Sequence, residues 1–416
     1  MTLLSWIAVA VIFVTIWALI KRWETRLVLI AAGLFLCIIS LNPMMGLNQF
    51  AKSMTNNSLI MAICGSMGFA FTATYTQCDR SLVHYLAAPI RGLGLFLVPV
   101  STVITFFVNI AIPSAAGCAA AVGSTLIPLM LRAGIKPAAA AAAVLAGTIG
   151  SYLSPGTSHN PFVAKMAGMD VMEFIGTHTY YSLMCGAILV VGTAVVCFLM
   201  GDGKGDTNAQ VDETKIKNDD FTPNPLKALV PLIPITILVV GNMWVPAIKM
   251  GVAQAMLIGA ICALLVSLSN PQEFSKKFFD GMGKGYADVL GIIIAAGLRA
   301  TGLIDACVDA LKDSNDIARW GGSLGPWIMG VITGSGDAAT LAFNETVTPH
   351  AKDFGMTIEG LGGLAFLTGA LGRTMSPLAG VTILVSGIAM VNPIDVIKRT
   401  AIPCIIAVFA CAFLMV

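Results

Sequence analysis

The chain has 416 residues, 57% of them hydrophobic and only 11% charged, with a mean hydropathy of +0.86, against about 45–50% apolar and 25% charged in a soluble domain. This is the composition of a membrane protein, and it excludes a soluble enzyme or a disordered scaffold. The 24 basic and 22 acidic residues leave a net charge of +2, with neither a basic field for nucleic acid nor an acidic tail.

In chain order, apolar stretches recur from 3–20 to 401–416, with room for roughly ten spans of about 20 residues each. The first, Leu3 to Ile20, has the length of a signal peptide but no Ala-x-Ala site before Lys21, so it reads as a retained helix. Basic residues in Lys21–Arg26 and Arg80–Arg91, against Lys52 alone in 42–57, place those two segments in the cytoplasm and the N-terminus outside. Runs such as 324–333, 361–372 and 378–391 are too short to span and read as re-entrant or as halves of broken helices. Gly201–Lys227 carries Asp202, Asp206, Asp212, Glu213, Asp219 and Asp220, ends in Pro223-Asn224-Pro225, and reads as a soluble linker. The ten cysteines are scattered singly and read as small packing residues, with no metal site.

The linker divides the chain in half, and the two sides match. Ser154-Pro155 recurs as Ser376-Pro377 at an offset of 222, as do Leu145, Gly147 and Gly150 in Leu367, Gly369 and Gly372. At an offset of 221, Ser114 matches Ser335, Thr125-x-x-Pro128 matches Thr346-x-x-Pro349, and Gly134 matches Gly355. Ser-Pro, Thr-x-x-Pro and glycine in one register indicate an internal duplication. Each half then carries two polar interruptions: Pro113-Ser114-Ala115-Ala116-Gly117 and Ser154-Pro155-Gly156-Thr157-Ser158-His159-Asn160 in the first, Thr333-Gly334-Ser335-Gly336-Asp337 and Ser376-Pro377-Leu378-Ala379-Gly380 in the second. Proline and glycine open the helical ladder, and backbone opened within a bilayer must line a cavity or be buried in protein. Four paired breaks are the sequence sign of a transporter's midplane site.

A broken helix offers the N-terminus of its second half to an anion, and Ser114, Thr157, Ser158, Asn160, Ser335 and Ser376 are short donors suited to it. Two arginines stand in apolar surroundings, Arg299 and Arg373, each costing on the order of 3 kcal/mol unless paired or solvated. Arg373, three residues before a break, is the better candidate for a substrate carboxylate. Asp337, Asn344 and Glu345 are candidates for a coupling proton or sodium ion, with an ion pair to an arginine as the alternative for the two acids. His159 can bind substrate or titrate, or merely cap a helix.

Gly334-Ser335-Gly336-Asp337 also spells the GxGD pattern of intramembrane aspartyl proteases, but the second carboxylate that chemistry needs is offered only by Tyr286-Ala287-Asp288. No GxSxG occurs, and no GxxxxGK[ST] loop, so neither a hydrolase nor a nucleotide-driven pump is expected, and no cofactor.

At Thr333-Gly334-Ser335-Gly336-Asp337-Ala338, Leu371-Gly372-Arg373-Thr374-Met375-Ser376-Pro377 and Asp395-Val396-Ile397-Lys398-Arg399-Thr400 the sequence resembles the DcuC family of anaerobic dicarboxylate carriers, and Ser114-Ala115-Ala116-Gly117 and Gly134-Ile135 look similar too. The resemblance implies an all-α polytopic inverted-repeat secondary transporter with two re-entrant hairpins and two unwound helices, built as an elevator whose scaffold can form a homodimer. It implies exchange, uptake or efflux of succinate, fumarate or malate across a bacterial inner membrane. A cation/proton antiporter of the same superfamily is the alternative. The chain departs from the family pattern at 154–160, where members carry Ala-Pro-Thr-Ser-Gly-Asp, and at Asp337, where asparagine is common. The implied division is scaffold at 1–57, transport half at 58–200, linker at 201–228, scaffold at 229–285 and transport half at 286–416. Substrate would be enclosed by Ser114, Ala115, Ala116 and Gly117; Ser154, Pro155, Gly156, Thr157, Ser158, His159 and Asn160; Gly334, Ser335 and Gly336; and Arg373, Ser376 and Pro377.

Overall fold

The computed structural model describes residues 3–21, 23, 25–54, 57–87, 94–203, 221–289, 300–301 and 315–415, and the regular elements among them are all helical. Arg299 and linker residues 204–220 lie outside the described residues. The first half runs α1 Leu3–Ile20, α2 Thr25–Ile39, α3 Pro43–Met54, α4 Asn57–Tyr75, α5 Cys78–Ala87, α6 Leu97–Ala111, α7 Ala115–Arg132, α8 Pro137–Gly147, α9 His159–Ala167 and α10 Val171–Leu199. The second runs α11 Pro225–Leu229, α12 Ile233–Met243, α13 Val252–Ser267, α14 Pro271–Val289, α15 Asn315–Thr333, α16 Gly336–Thr346, α17 Ile358–Thr374, α18 Gly380–Ala389 and α19 Pro393–Leu414. Among the described residues, four helical segments are long and apolar enough to cross a bilayer: Gly94–Ala111, Ala115–Arg132, Val171–Leu199 and Pro393–Leu414. Others, such as Pro137–Leu153 and Gly380–Ala389, are apolar but shorter, and a bend of 120° separates Thr348–Phe354 from Ile358–Thr374.

The helix order of α6 to α10 recurs in α15 to α19, with local signals that explain the shared residue types. Gly134 and Gly355 both take left-handed backbone, φ 77° and 70°, which glycine adopts without strain. Asp170 and Asn392 cap α10 and α19 alike, accepting from the N–H groups of Met172 and Ile394. A Cβ on Gly150 would collide with the Phe106 carbonyl oxygen, and one on Gly372 with that of Trp327. Each glycine therefore sits where the segment before a break touches the backbone of α6 or α15, a contact that only a residue without a side chain permits.

The two halves share their cores. Residues of α6, α7 and alanine-rich α8 bury against Val381, Val385 and Ile388 of α18. Phe106, Tyr152, Cys185 and Leu189 bury against Phe366, Leu367, Cys404 and Cys411 of α17 and α19. The linker expectation needs one correction at its first residues. Asp202, counted among solvated acids, is fully buried: both its oxygens accept from the Arg399 guanidinium, at 2.7 and 2.8 Å, and its carbonyl accepts from the Lys136 N–H. Composition marked this stretch as polar, but its start belongs to the turn that ends α10, where the Asp202 N–H bonds the Cys197 carbonyl. A bidentate arginine makes the buried carboxylate tenable.

Candidate functional site

The break of the first half is tied together by side chains. A 3-10 turn over Gly150–Leu153 ends at Ser154, after which the Thr157 hydroxyl donates to the Ser151 carbonyl at 2.6 Å. The Asn160 amide donates to the carbonyls of Tyr152 and Ser154 at 2.9 and 2.8 Å. Its oxygen faces His178 Nε2 at 3.2 Å; an amide oxygen only accepts, so Nε2 carries the proton and Nδ1 accepts from Ser182 at 2.9 Å. In the second break the Ser376 hydroxyl accepts from the Leu378 N–H at 3.2 Å, and Trp327 donates to the Met375 sulfur. At the tip between α6 and α7, Ser114 caps α7 by accepting from Gly117 N–H. At the tip between α15 and α16, Thr333 accepts from Ser335 N–H. Gly334 there has φ +70°, and a Cβ would stand 2.7 Å from the Ala379 nitrogen.

These segments surround one cavity of about 360 Å³, within the range of small-molecule sites, about 300–1,000 Å³. Ala115 and Ala116 begin α7, Ser158 precedes α9, Gly336 and Asp337 begin α16, and Gly380 and Val381 begin α18; all line the space. Four helix N-termini thus converge on it, each bringing free N–H groups and about half a positive charge.

The cavity is lined at one tip by Ser114, Ala115 and Ala116 and at the other by Gly334, Ser335, Gly336 and Asp337. Gly156, Thr157, Ser158 and Arg373 complete the share of its lining named from sequence. Gly117, Ser154, Pro155, Asn160, Ser376 and Pro377 are not among the lining residues. The Ser154 and Ser376 hydroxyls are fully buried and turned to local backbone, that of Ser154 toward Gly156 N–H at 3.4 Å. Asn344 is buried, donating to the Gly362 carbonyl and accepting from Thr348, and so is committed to packing α16 against α17. Glu345, eight residues beyond Asp337 on α16, is also outside the lining.

His159 is buried behind the wall, stacked on Phe366 with ring centroids 4.5 Å apart, and its Nε2 lies 2.9 Å from Asp337 Oδ1. Among the described residues the hydrogen-bond partner of Asp337 is therefore a histidine; Arg373 bonds Thr148 instead, and Arg299 lies outside the described residues. Arg373 spends one Nη on the Thr148 carbonyl at 3.0 Å, while its Nε is buried with no hydrogen-bond partner among the described residues. Met67, Ser151, Phe366 and Ala370 also line the cavity, and sequence reasoning missed them. Phe366 could have been noticed as the one aromatic in the alanine- and glycine-rich stretch 361–372; Met67 of α4 carries no local signal.

Residues 44–416 match the DcuC family, described as C4-dicarboxylate anaerobic carriers. A Haemophilus influenzae protein named only as an uncharacterised transporter is 45% identical over 277 residues, 63% of this chain and 99% of its own length. The anaerobic C4-dicarboxylate transporter DcuC of Escherichia coli K12 is 26% identical over 369 residues, 84% of this chain and 77% of that protein. Among solved structures, the YdaH transporter of Alcanivorax borkumensis superposes with a TM-score of 0.56 at 14% identity, over 89% of this chain and 86% of that one, a likeness of fold alone. Neither the protease nor the antiporter is favoured by these relatives. The chain belongs to the DcuC family of C4-dicarboxylate carriers, multi-pass membrane transporters and not enzymes.

Proposed function

We propose that the protein is a secondary carrier of four-carbon dicarboxylates such as succinate, fumarate and malate, acting in a bacterial inner membrane by exchange, uptake or efflux. The observation that carries this is the cavity itself: four helix N-termini and an arginine whose Nε has no partner among the described residues enclose one space of dicarboxylate scale. A dianion needs compensation from several directions at once, and oriented N–H groups supply it without bringing in counter-anions. Arg373 supplies the charge that helix termini only approximate, and hydrogen bonds to an ionised carboxylate contribute about 1.5–3 kcal/mol each. The recurring helix order, break positions and caps support an inverted repeat, with 58–200 and 286–416 as the two halves of a moving transport domain and 1–57 and 229–285 as an elevator scaffold that can dimerise. Coupling is to a proton or sodium ion.

The test is exchange of labelled succinate by purified protein in proteoliposomes, with succinate, fumarate or malate inside and proton or sodium gradients imposed in turn. Exchange that depends on the internal dicarboxylate is expected. Absence of exchange with every C4-dicarboxylate, together with transport driven by sodium or pH alone, would overturn the proposal.

A further inference from the structure

The cavity contains a carboxylate of its own. Asp337 stands in the first turn of α16 with its side chain 61% exposed to the open space, and the hydrogen bond to His159 is the one that holds its carboxylate among the described residues. The histidine belongs to the other half and is only 1% exposed. Stacking on Phe366 fixes its ring, so packing holds its Nε2 behind the wall at the point where the Asp337 carboxylate meets it. Its Nδ1 is buried with no partner among the described residues. An ionised carboxylate only accepts, so Nε2–H donates to Asp337 at the cavity wall. A neutral wall of serine, threonine and glycine surrounds this contact, with Arg373 as the other charged residue of the lining. The arrangement is that of an anion subsite with an anion already in it.

We infer that Asp337 is a tethered competitor for substrate: in the empty cavity its carboxylate takes the place on His159 that one substrate carboxylate takes on binding, and substrate displaces it. The inference rests on the cavity being the dicarboxylate site. Displacement needs only a rotation of the Asp337 side chain, because the space around it is open. The tether sets a high effective concentration, so only an anion anchored by further contacts, at Arg373 and the helix termini, displaces it. Asp337 thereby acts as a specificity residue that lowers affinity for every ligand using the subsite.

The experiment is succinate titration calorimetry on the purified full-length protein in lipid nanodiscs, with the fold of each variant checked by thermal unfolding. Asp337→Asn keeps the side chain's shape and removes the anion; succinate binding should tighten by about tenfold. Asp337→Ser gives the same reading should the asparagine variant fold poorly. His159→Phe keeps the stack on Phe366 and removes the donor; in that background Asp337→Asn should bring no gain, a coupling read as a double-mutant cycle. Unchanged or weaker succinate binding in folded Asp337→Asn overturns the inference, as does a gain that persists with His159→Phe, which would be a field effect without a shared subsite. Both outcomes leave the cavity as the dicarboxylate site. Wild-type protein that binds no C4-dicarboxylate overturns that assignment and the inference together.

Discussion

The breaks at 154–158 and 376–379 begin with the same Ser-Pro pair and follow the same backbone-contact glycine, yet they are held differently. The first is a knot: Thr157, Asn160 and, through Asn160, His178 fasten it to the carbonyls of Ser151, Tyr152 and Ser154. The second keeps Ser376 as a local cap and instead supplies charge, since Arg373 just before it and Asp337 on the facing tip are the two charged residues lining the cavity. The difference teaches that a repeat conserves the backbone opening while its two copies divide the work. One half offers fixed, neutral dipoles and the other offers the ions. On the proposed function, a dianion bound between them would be fixed in position by the first half and charge-compensated by the second.

Removal of the knot is the most damaging way to break that contrast. Asn160→Ala strips the Tyr152 carbonyl and His178 Nε2 of a partner and leaves the Ser154 carbonyl to the Thr157 N–H, and buried polar groups left unmade cost about 1–3 kcal/mol each. A loss of about 3 kcal/mol or more is expected, read as a fall in unfolding temperature in detergent. The position 222 residues on is Thr382, also buried but with its hydroxyl unpartnered among the described residues. Thr382→Val should change stability by less than about 1 kcal/mol. Equal losses at both positions would show that the two breaks are held alike after all.

Arg373→Lys tests the other side of the division. Lysine keeps the positive charge but gathers its three donors on one nitrogen in place of the guanidinium fork, so with that nitrogen at the Thr148 carbonyl it cannot also make the two parallel N–H bonds a carboxylate takes from arginine. Succinate exchange in proteoliposomes should fall by about a hundredfold, equivalent to ~2.7 kcal/mol, with thermal unfolding nearly unchanged. Wild-type exchange by the lysine variant would remove Arg373 from the site.

How much of this was legible in the sequence follows from what each feature depends on. The breaks and the tips were legible because proline and glycine open a helix by their own covalent chemistry, wherever the chain later goes. Arg373 was legible because a charge in an apolar run is anomalous by itself. The His159–Asp337 contact joins residues 178 apart, and Asp202–Arg399 joins residues 197 apart; nothing local pairs them, so Asp202 reads as one more linker acid and Asp337 as a coupling-ion candidate or a partner for arginine. Phe366 and Met67 enter the cavity wall through packing alone. Hydroxyl direction is the finest detail and the least legible: Ser114, Ser154 and Ser376 look equivalent in sequence, while Ser114 lines the cavity and the other two face inward.

That last distinction gives the smallest effect. Sequence places Ser154 and Ser376 among the residues that would enclose substrate, and hydroxyls bonded to a substrate carboxylate would make the double alanine variant lose affinity more than stability. With both hydroxyls buried and turned to Gly156 and Leu378 N–H groups at 3.4 and 3.2 Å, the opposite balance is expected. Each alanine should cost about 0.5–1.5 kcal/mol of stability and change succinate affinity by less than about twofold. The two positions should also differ from one another. Ser154 loses little because the Asn160 amide and the Thr157 N–H still hold its carbonyl, at 2.8 and 3.2 Å. The Ser376 carbonyl is held by the longer contact from Ala379 N–H, at 3.4 Å, while its N–H bonds back to Arg373, so loss of the hydroxyl loosens the turn that aims the N-terminus of α18 at the cavity. Ser376→Ala should therefore slow exchange more than Ser154→Ala does, by a few-fold at matched stability. A tenfold loss of succinate affinity in Ser154→Ala alone would place that hydroxyl on the substrate and give the first break a direct binding role beyond rigidity.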